Sequence, residues 1–381
     1  MLLCYTSQWL LMAILPLYVR DLGASVFVAG LVLAAFSVTS FTMRPIVGYL
    51  TDVRSRLGIL NAGTLILGTT GLAFAIPGLA ITFIASAIRG IGWASINTAS
   101  YTVLLKVVPV DRRGEASSYY SVATNTAISF APVIALWLVA PPSANYHVVF
   151  IIAGLSAFAA TGVVWMLART APELGRSDSR PGDQRLVLSS FIDRRVLLAS
   201  VLLLSYTVTN PATSAFIPLY AREIGIENSG AYFGVGGIVS IAASVLLARF
   251  FNRGSRGVWL VGFTLSLLGL VGLMLSPDIW ALTAAGVVVV LGGAVLNPIL
   301  LAVAIDRADP RRPGAAMATF SLAYQMGNGL GAPLLGLLIE GFGFQGMFVG
   351  SIVAMSGGLL LTALRWPSLG NPAAAVTAAQ A

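Results

Sequence analysis

The chain has 381 residues, 57% of them hydrophobic and only 9% charged, where a soluble protein of this length carries roughly a quarter charged residues. One cysteine (Cys4), one histidine (His147) and one lysine (Lys106) exclude an intramolecular disulfide, a metal cluster and the Cys/His or Ser/His/Asp groupings of a hydrolytic enzyme. No cofactor and no metal are expected, and the surrounding solvent is lipid.

Breaks at charged and Pro/Gly-rich points predict twelve apolar segments. They run over 1–19, 25–50, 59–76, 79–105, 116–140 and 148–168, then 196–220, 230–251, 258–275, 280–305, 315–339 and 346–365. No basic region and no cleavage site precede the first, so no signal peptide is read. Met1 opens almost directly into a span of about eighteen residues, roughly 27 Å of helix. That is barely enough to cross, and it points to a start codon upstream or a trimmed first helix. The spans form an N-terminal six-helix bundle (1–168) and a C-terminal one (196–365), with a polar linker (169–195) and an Ala-rich tail (366–381). The linker carries six Arg, four acids and a Ser/Pro/Gly mixture, the composition of a flexible connection. Its end, 186–196, reads as a short amphipathic helix on the membrane surface.

The two bundles are copies. Pro16-Leu17-Tyr18-Val19-Arg20-Asp21-Leu22-Gly23 returns as Pro218-Leu219-Tyr220-Ala221-Arg222-Glu223-Ile224-Gly225, and Asn97, Arg112 and Gly114 return as Asn297, Arg312 and Gly314. Two parallel repeats in an apolar chain are the pattern of a carrier built from like bundles around a central path. The expected fold is therefore an all-α polytopic membrane protein, twelve transmembrane helices in two pseudo-symmetric six-helix bundles. Placing the linker inside puts eighteen of the twenty-two Lys and Arg on that side. The positive-inside rule then sets both termini in the cytoplasm, with the chain in the inner (plasma) membrane. The basic balance serves topology and lipid contact, and no nucleic-acid partner is expected.

Arg89 lies about ten residues into the fourth span, near mid-bilayer, where arginine costs at least roughly 3 kcal/mol. Trp93 and Asn97 follow at four-residue intervals, so one helix face carries a cation, an aromatic wall and an amide. That face suits a substrate bearing a carboxylate; the alternative is that Arg89 bonds backbone carbonyls or amide side chains for packing. Gln8, Asn125, Tyr206, Asn210, Asn297, Tyr324, Gln325 and Asn328 are further polar residues at apolar depth. Each either lines the substrate cavity or joins helices at about 0.6–2 kcal/mol per bond. No Asp or Glu lies deep in a span, so Asp21, at the outer end of the first, is the candidate proton site; its alternative is an outer-loop pair with Arg20.

Gly48-Tyr49-Leu50-Thr51-Asp52-Val53-Arg54-Ser55-Arg56 resembles the G-x-L-a-D-r-x-G-r-r loop after the second helix of the major facilitator superfamily. Leu15 to Ser25 and Asp111-Arg112-Arg113-Gly114-Glu115 are similar to the bacterial drug and metabolite efflux branch. The resemblance covers essentially the whole chain and implies an alternating-access carrier, not an enzyme. Gly48 is expected to let two helices approach closely. Asp52, with Arg54 and Arg56 or the N-terminal end of the eleventh helix near Gly314, is expected to form a cytoplasmic gate. The second copy has Asn252 in place of that acid. Arg89-Gly90-Ile91-Gly92-Trp93 departs from the family's fourth-helix pattern, and the fifth-helix antiporter signature is reduced to Ala131-Pro132. The leading expectation is export of a small organic molecule, exchanged for protons, by a monomer. The alternatives are an uptake symporter or facilitator for a sugar or organic acid, and a non-transporting membrane receptor or scaffold.

Overall fold

A computed structural model describes residues 1–109, 112–141, 144–175, 194–247, 256–308 and 313–364. Within them every regular element is helical. The first copy gives α1 (Leu2–Asp21), α2 (Val26–Val53), α3 (Arg56–Ala73), α4 (Leu79–Val107), α5 (Arg113–Val139) and α6 (Tyr146–Thr170). The second gives α7 (Leu197–Thr207), α8 (Asn210–Ser214), α9 (Ile217–Glu223), α10 (Gly230–Leu247), α11 (Arg256–Met274), α12 (Ile279–Arg307) and α13 (Pro313–Leu364). Two departures from the simple count leave twelve spans. The seventh span is broken into α7, α8 and α9, and α13 is two spans joined at Gly343, whose φ of 68° no continuous helix contains. Most of the linker, including 186–193 of the expected surface helix, lies outside the described residues. So do the loop carrying Asn252, the tail, and the side chain of Asp52.

The helix starts are chemically marked. Ser25 Oγ accepts from the Val28 amide at 3.3 Å, Ser55 Oγ from Gly58 at 3.1 Å, and the Asp278 carboxylate from Trp280 and Ala281 at 2.9 and 2.8 Å. Each satisfies amide donors that the first turn leaves without a helical partner. Seven of the described helical stretches are long and apolar enough to cross a membrane, and the chain is a multi-pass membrane protein.

Contacts divide it into two units, Met1–Leu186 and Val187–Ala381. In the first, α4 packs on α2 and α3, α3 on α6, and α1 on α5 and α6; in the second, α12 packs on α10 and α11, and α13 on α7 and α11. Lipid tails are as apolar as leucine, so close packing rather than water exclusion must hold such helices together. Gly90 shows how close: a Cβ there would lie 2.4 Å from the Phe36 carbonyl oxygen and 2.9 Å from the Ser40 nitrogen of α2. Gly48 behaves otherwise. Among the described residues, a Cβ at Gly48 would meet nothing within 4 Å.

The repeat survives in the packing. The Tyr18 ring lies 5.3 Å from Tyr146 and 4.9 Å from Phe150, with interplanar angles of 53° and 78°. The Tyr220 ring lies 5.6 Å from Phe344 and 5.0 Å from Phe348, at 50° and 78°. Edge-on aromatic clusters of one geometry thus secure the same end of the first helix in each copy.

The seventh span breaks for a local reason. Pro211 and Pro218 carry no amide hydrogen, so two successive turns lose a ladder bond. The Thr209 and Ala212 amides close short three-residue turns on Tyr206 and Thr209 instead. The break packs against α13, where a Cβ on Gly327 would fall 1.9 Å from Thr207 Oγ1.

Candidate functional site

Arg89 is 2% exposed and its five N–H donors are all committed inside the first unit. Nε donates to Gln8 Oε1 at 2.9 Å, and Nη1 to the Leu67 carbonyl at 3.0 Å and Thr70 Oγ1 at 3.5 Å. Nη2 donates to the Ser7 carbonyl at 2.8 Å and Ser7 Oγ at 3.0 Å. No carboxylate is among these acceptors. The guanidinium therefore binds α4 to α1 and α3 through neutral dipoles, and its planar fork is what allows one side chain to reach five of them.

One and two turns further along α4, the same face meets α1 again. The Trp93 ring lies 4.8 Å from the Tyr5 ring at 59°. Tyr5 Oη donates to Asn97 Oδ1 at 3.0 Å, and Asn97 Nδ2 donates to the Trp93 carbonyl at 2.9 Å. The shared face expected for Arg89, Trp93 and Asn97 is present, directed at α1. Arg89 is enclosed there, while Trp93 and Asn97 are half-buried.

The second unit repeats this arrangement with different donors. Asn297 Nδ2 donates to Tyr206 Oη at 3.3 Å and to the Gly293 carbonyl at 3.2 Å. Tyr206 thus plays the part of Tyr5, and Asn297 that of Asn97. Position 293, opposite Trp93 in the repeat, is glycine because the phenol fills the space: a Cβ there would lie 2.3 Å from Tyr206 Oη. Where Gln8 meets Arg89 in the first unit, Asn210 Nδ2 donates to Asn328 Oδ1 at 3.3 Å, and Asn328 Nδ2 to the Tyr324 carbonyl at 2.9 Å. Tyr324 is 44% exposed, and Gln325 and Asn125 are half-buried on α13 and α5.

The equivalence of Tyr5 and Tyr206 also locates a small irregularity. Their offset is 201, whereas that of Pro16 and Pro218 is 202. The second copy therefore carries one extra residue in the stretch where its first helix is broken.

At the far end of α1, the Asp21 carboxylate accepts from the Tyr146 hydroxyl of α6. The repeat keeps the acid, as Glu223, but has Phe344 in place of the phenol. In the Gly48–Arg56 motif, Arg54 is exposed and Arg56 half-buried. Pro172–Gly175 packs close by, since a Cβ on Gly175 would lie 2.9 Å from Ser55 Oγ.

Comparison with known proteins decides what this arrangement belongs to. The family model for the Major Facilitator Superfamily matches residues 1–276 and 242–379. The chain belongs to the Major Facilitator Superfamily. Among its relatives is the staphylopine export protein of Staphylococcus aureus (strain Mu50 / ATCC 700699), 24% identical over 362 residues, with 91% of this chain and 89% of the relative covered. An uncharacterized MFS-type transporter of Burkholderia pseudomallei (strain 1106a) is 24% identical over 371 residues, covering 94% and 88%. Among solved structures, a POT family transporter in complex with a thioalcohol-conjugated peptide superposes with a TM-score of 0.79 at 13% identity, covering 97% of this chain and 95% of that one. A bacterial homolog of the human lysosomal transporter Spinster gives a TM-score of 0.74 at 12% identity, covering 95% and 94%. Both likenesses establish the fold alone, and the chain is a transporter of this superfamily rather than an enzyme.

Tyr5, Ser7 and Thr70 join the candidate site, and sequence reasoning passed over all three. The signal for Tyr5 was available, because a tyrosine precedes the repeated asparagine by 92 residues in one copy and 91 in the other. Nothing local marks Ser7, one small hydroxyl in an apolar helix.

Proposed function

We propose that this transporter exports a small organic molecule across the inner membrane by alternating access, in exchange for protons, with both termini in the cytoplasm. The observation that carries the reading is the repeat-related pair of polar clusters, Tyr5–Trp93–Asn97 and Tyr206–Asn297, at mid-span of helices that are otherwise apolar. Asn97 and Asn297 each sit four residues from the centre of a 29-residue helix, about 6 Å along its axis. Hydrocarbon penalises polar groups at that depth, so they mark a substrate path. Asn125, Asn210, Tyr324, Gln325 and Asn328 extend that path in this reading. Export is favoured over uptake by the staphylopine export protein, which is similar over nine-tenths of the chain.

Within this function Arg89 is a positioning residue that holds α1 in place, and Asp21 with Tyr146 is the proton-accepting group. Gly48, Asp52, Arg54 and Arg56 form the cytoplasmic gate motif. The test uses inside-out vesicles from cells expressing the chain, energised by respiration. They are offered labelled carboxylates, sugars, N-acetyl amino-acid amides and lipophilic cations, with and without a protonophore. Export predicts accumulation of at least one class that the protonophore abolishes. Accumulation confined to right-side-out vesicles would move the assignment to uptake.

A further inference from the structure

The two Tyr–Asn pairs are wired in opposite directions. In the first unit the phenol is the donor: Tyr5 Oη gives its proton to Asn97 Oδ1. In the second the amide is the donor: Asn297 Nδ2 gives to Tyr206 Oη and to the Gly293 carbonyl, spending both of its N–H groups. Two groups are then left over on the second pair. The Tyr206 hydroxyl proton is not used in the bond it accepts, and among the described residues Asn297 Oδ1 accepts from no donor.

They stand side by side, one a donor and one an acceptor, and Asn297 is exposed. An exposed amide this near the middle of a spanning helix is tolerated where it faces water or a ligand, not hydrocarbon. Charge is absent from this pair. The one buried cation of the described site residues, Arg89, has all five donors spent on neutral acceptors of its own unit. Glycine at 293 leaves the phenol the room that Trp93 occupies in the first unit.

We propose that Tyr206 and Asn297 bind the substrate through an uncharged group that presents an acceptor and a donor together, a carboxamide or a peptide-like amide. This rests on the transport reading above but not on its direction or its coupling ion. An amide answers the Tyr206 O–H with its carbonyl and Asn297 Oδ1 with its N–H. A carboxylate would meet Asn297 Oδ1 with a second acceptor, and a quaternary ammonium would leave the phenol proton unmatched.

The test is binding rather than flux. Purified full-length protein in lipid nanodiscs is titrated with N-acetyl-phenylalanine amide and N-acetyl-tryptophan amide, the matching N-acetyl carboxylates, and tetraphenylphosphonium. Binding is read as a rise in melting temperature and by calorimetry. The expected result is that the amides bind more tightly than the carboxylates or the cation. Tyr206→Phe and Asn297→Leu should each weaken amide binding about tenfold, one hydrogen bond's worth, while eluting as wild type on size exclusion. Asn297→Asp, which keeps the acceptor but adds charge, should also lose amide selectivity. No preference for amides, or amide affinity unchanged in Tyr206→Phe and Asn297→Leu, overturns the proposal. Amide binding without export would instead overturn the export reading and leave this one standing.

Discussion

Replacing Arg89 with lysine separates the two jobs a buried arginine can do. The substitution keeps a positively charged group but concentrates the charge on a compact, more strongly hydrated ammonium. It replaces a five-donor planar fork with three donors on one nitrogen. At most three of the five bonds to Ser7, Gln8, Leu67 and Thr70 can then survive. Interhelical bonds in membranes average about 0.6 kcal/mol and reach about 1.7, so losing two destabilises the first unit by about 1–3 kcal/mol. For a domain of this size that is a fall in melting temperature on the order of 2–12 °C. The measurement is thermal unfolding of purified protein in detergent, paired with transport kinetics of any compound found to be carried. A positioning role predicts the lower melting temperature with KM within about twofold of wild type and the loss confined to active protein and turnover. A wild-type melting temperature with KM raised tenfold would show that the guanidinium engages substrate, and the reasoning from its saturated bonds would fail.

Four further outcomes follow from contacts of other kinds. Gly327→Ala sets a methyl group 1.9 Å from Thr207 Oγ1, and overpacking of this sort costs about 1–3 kcal/mol. Thr207→Ala, tested in a double-mutant cycle by thermal unfolding, should recover part of the loss, and strict additivity would refute the contact. Gly293→Ala should displace the Tyr206 hydroxyl from Asn297, weakening substrate binding with folding retained on size exclusion; unchanged affinity would detach this pair from the site. Tyr146→Phe gives the first unit the ring that the second already uses, Phe344, so its melting temperature should move by no more than a degree or two. Asp21→Asn should remove the protonophore-sensitive part of export, and undiminished proton-driven flux in that variant would move the proton site elsewhere.

The spans were legible because lipid imposes one rule on the whole sequence. Charges and Pro/Gly clusters can stand only at the ends, so helix limits fall within a few residues of those expected, as at Leu79–Val107 and Ile279–Arg307. Arg89 was legible as a special residue for the same reason, by its depth alone. Its partners were not. A backbone carbonyl such as that of Leu67 carries no sequence signature, and Ser7 and Thr70 are ordinary small residues until a third helix aims a guanidinium at them. The break in the seventh span was also missed, although Asn210, Pro211 and Pro218 announce it, because the stretch is apolar enough to read as one span. The tolerance for such a break comes from tertiary packing. Gly327 and Gly331 of α13 admit the Thr207 and Val208 backbone so closely that a Cβ at either would collide with it.

The extra residue in the second copy has a consequence for how the two halves can have diverged. Between Tyr206 and Tyr220 both ends are fixed, one by Asn297 and the other by the Phe344–Phe348 rings. An unbroken helix with one residue added would swing everything beyond it by about 100°, and one of the two anchorages would be lost. The broken span absorbs that rotation. The halves of this duplicated gene have therefore ceased to be exchangeable parts. A chimera that carries α1 into the position of α7–α9 would arrive one residue short, with either its tyrosine pair or its aromatic anchor facing the wrong way.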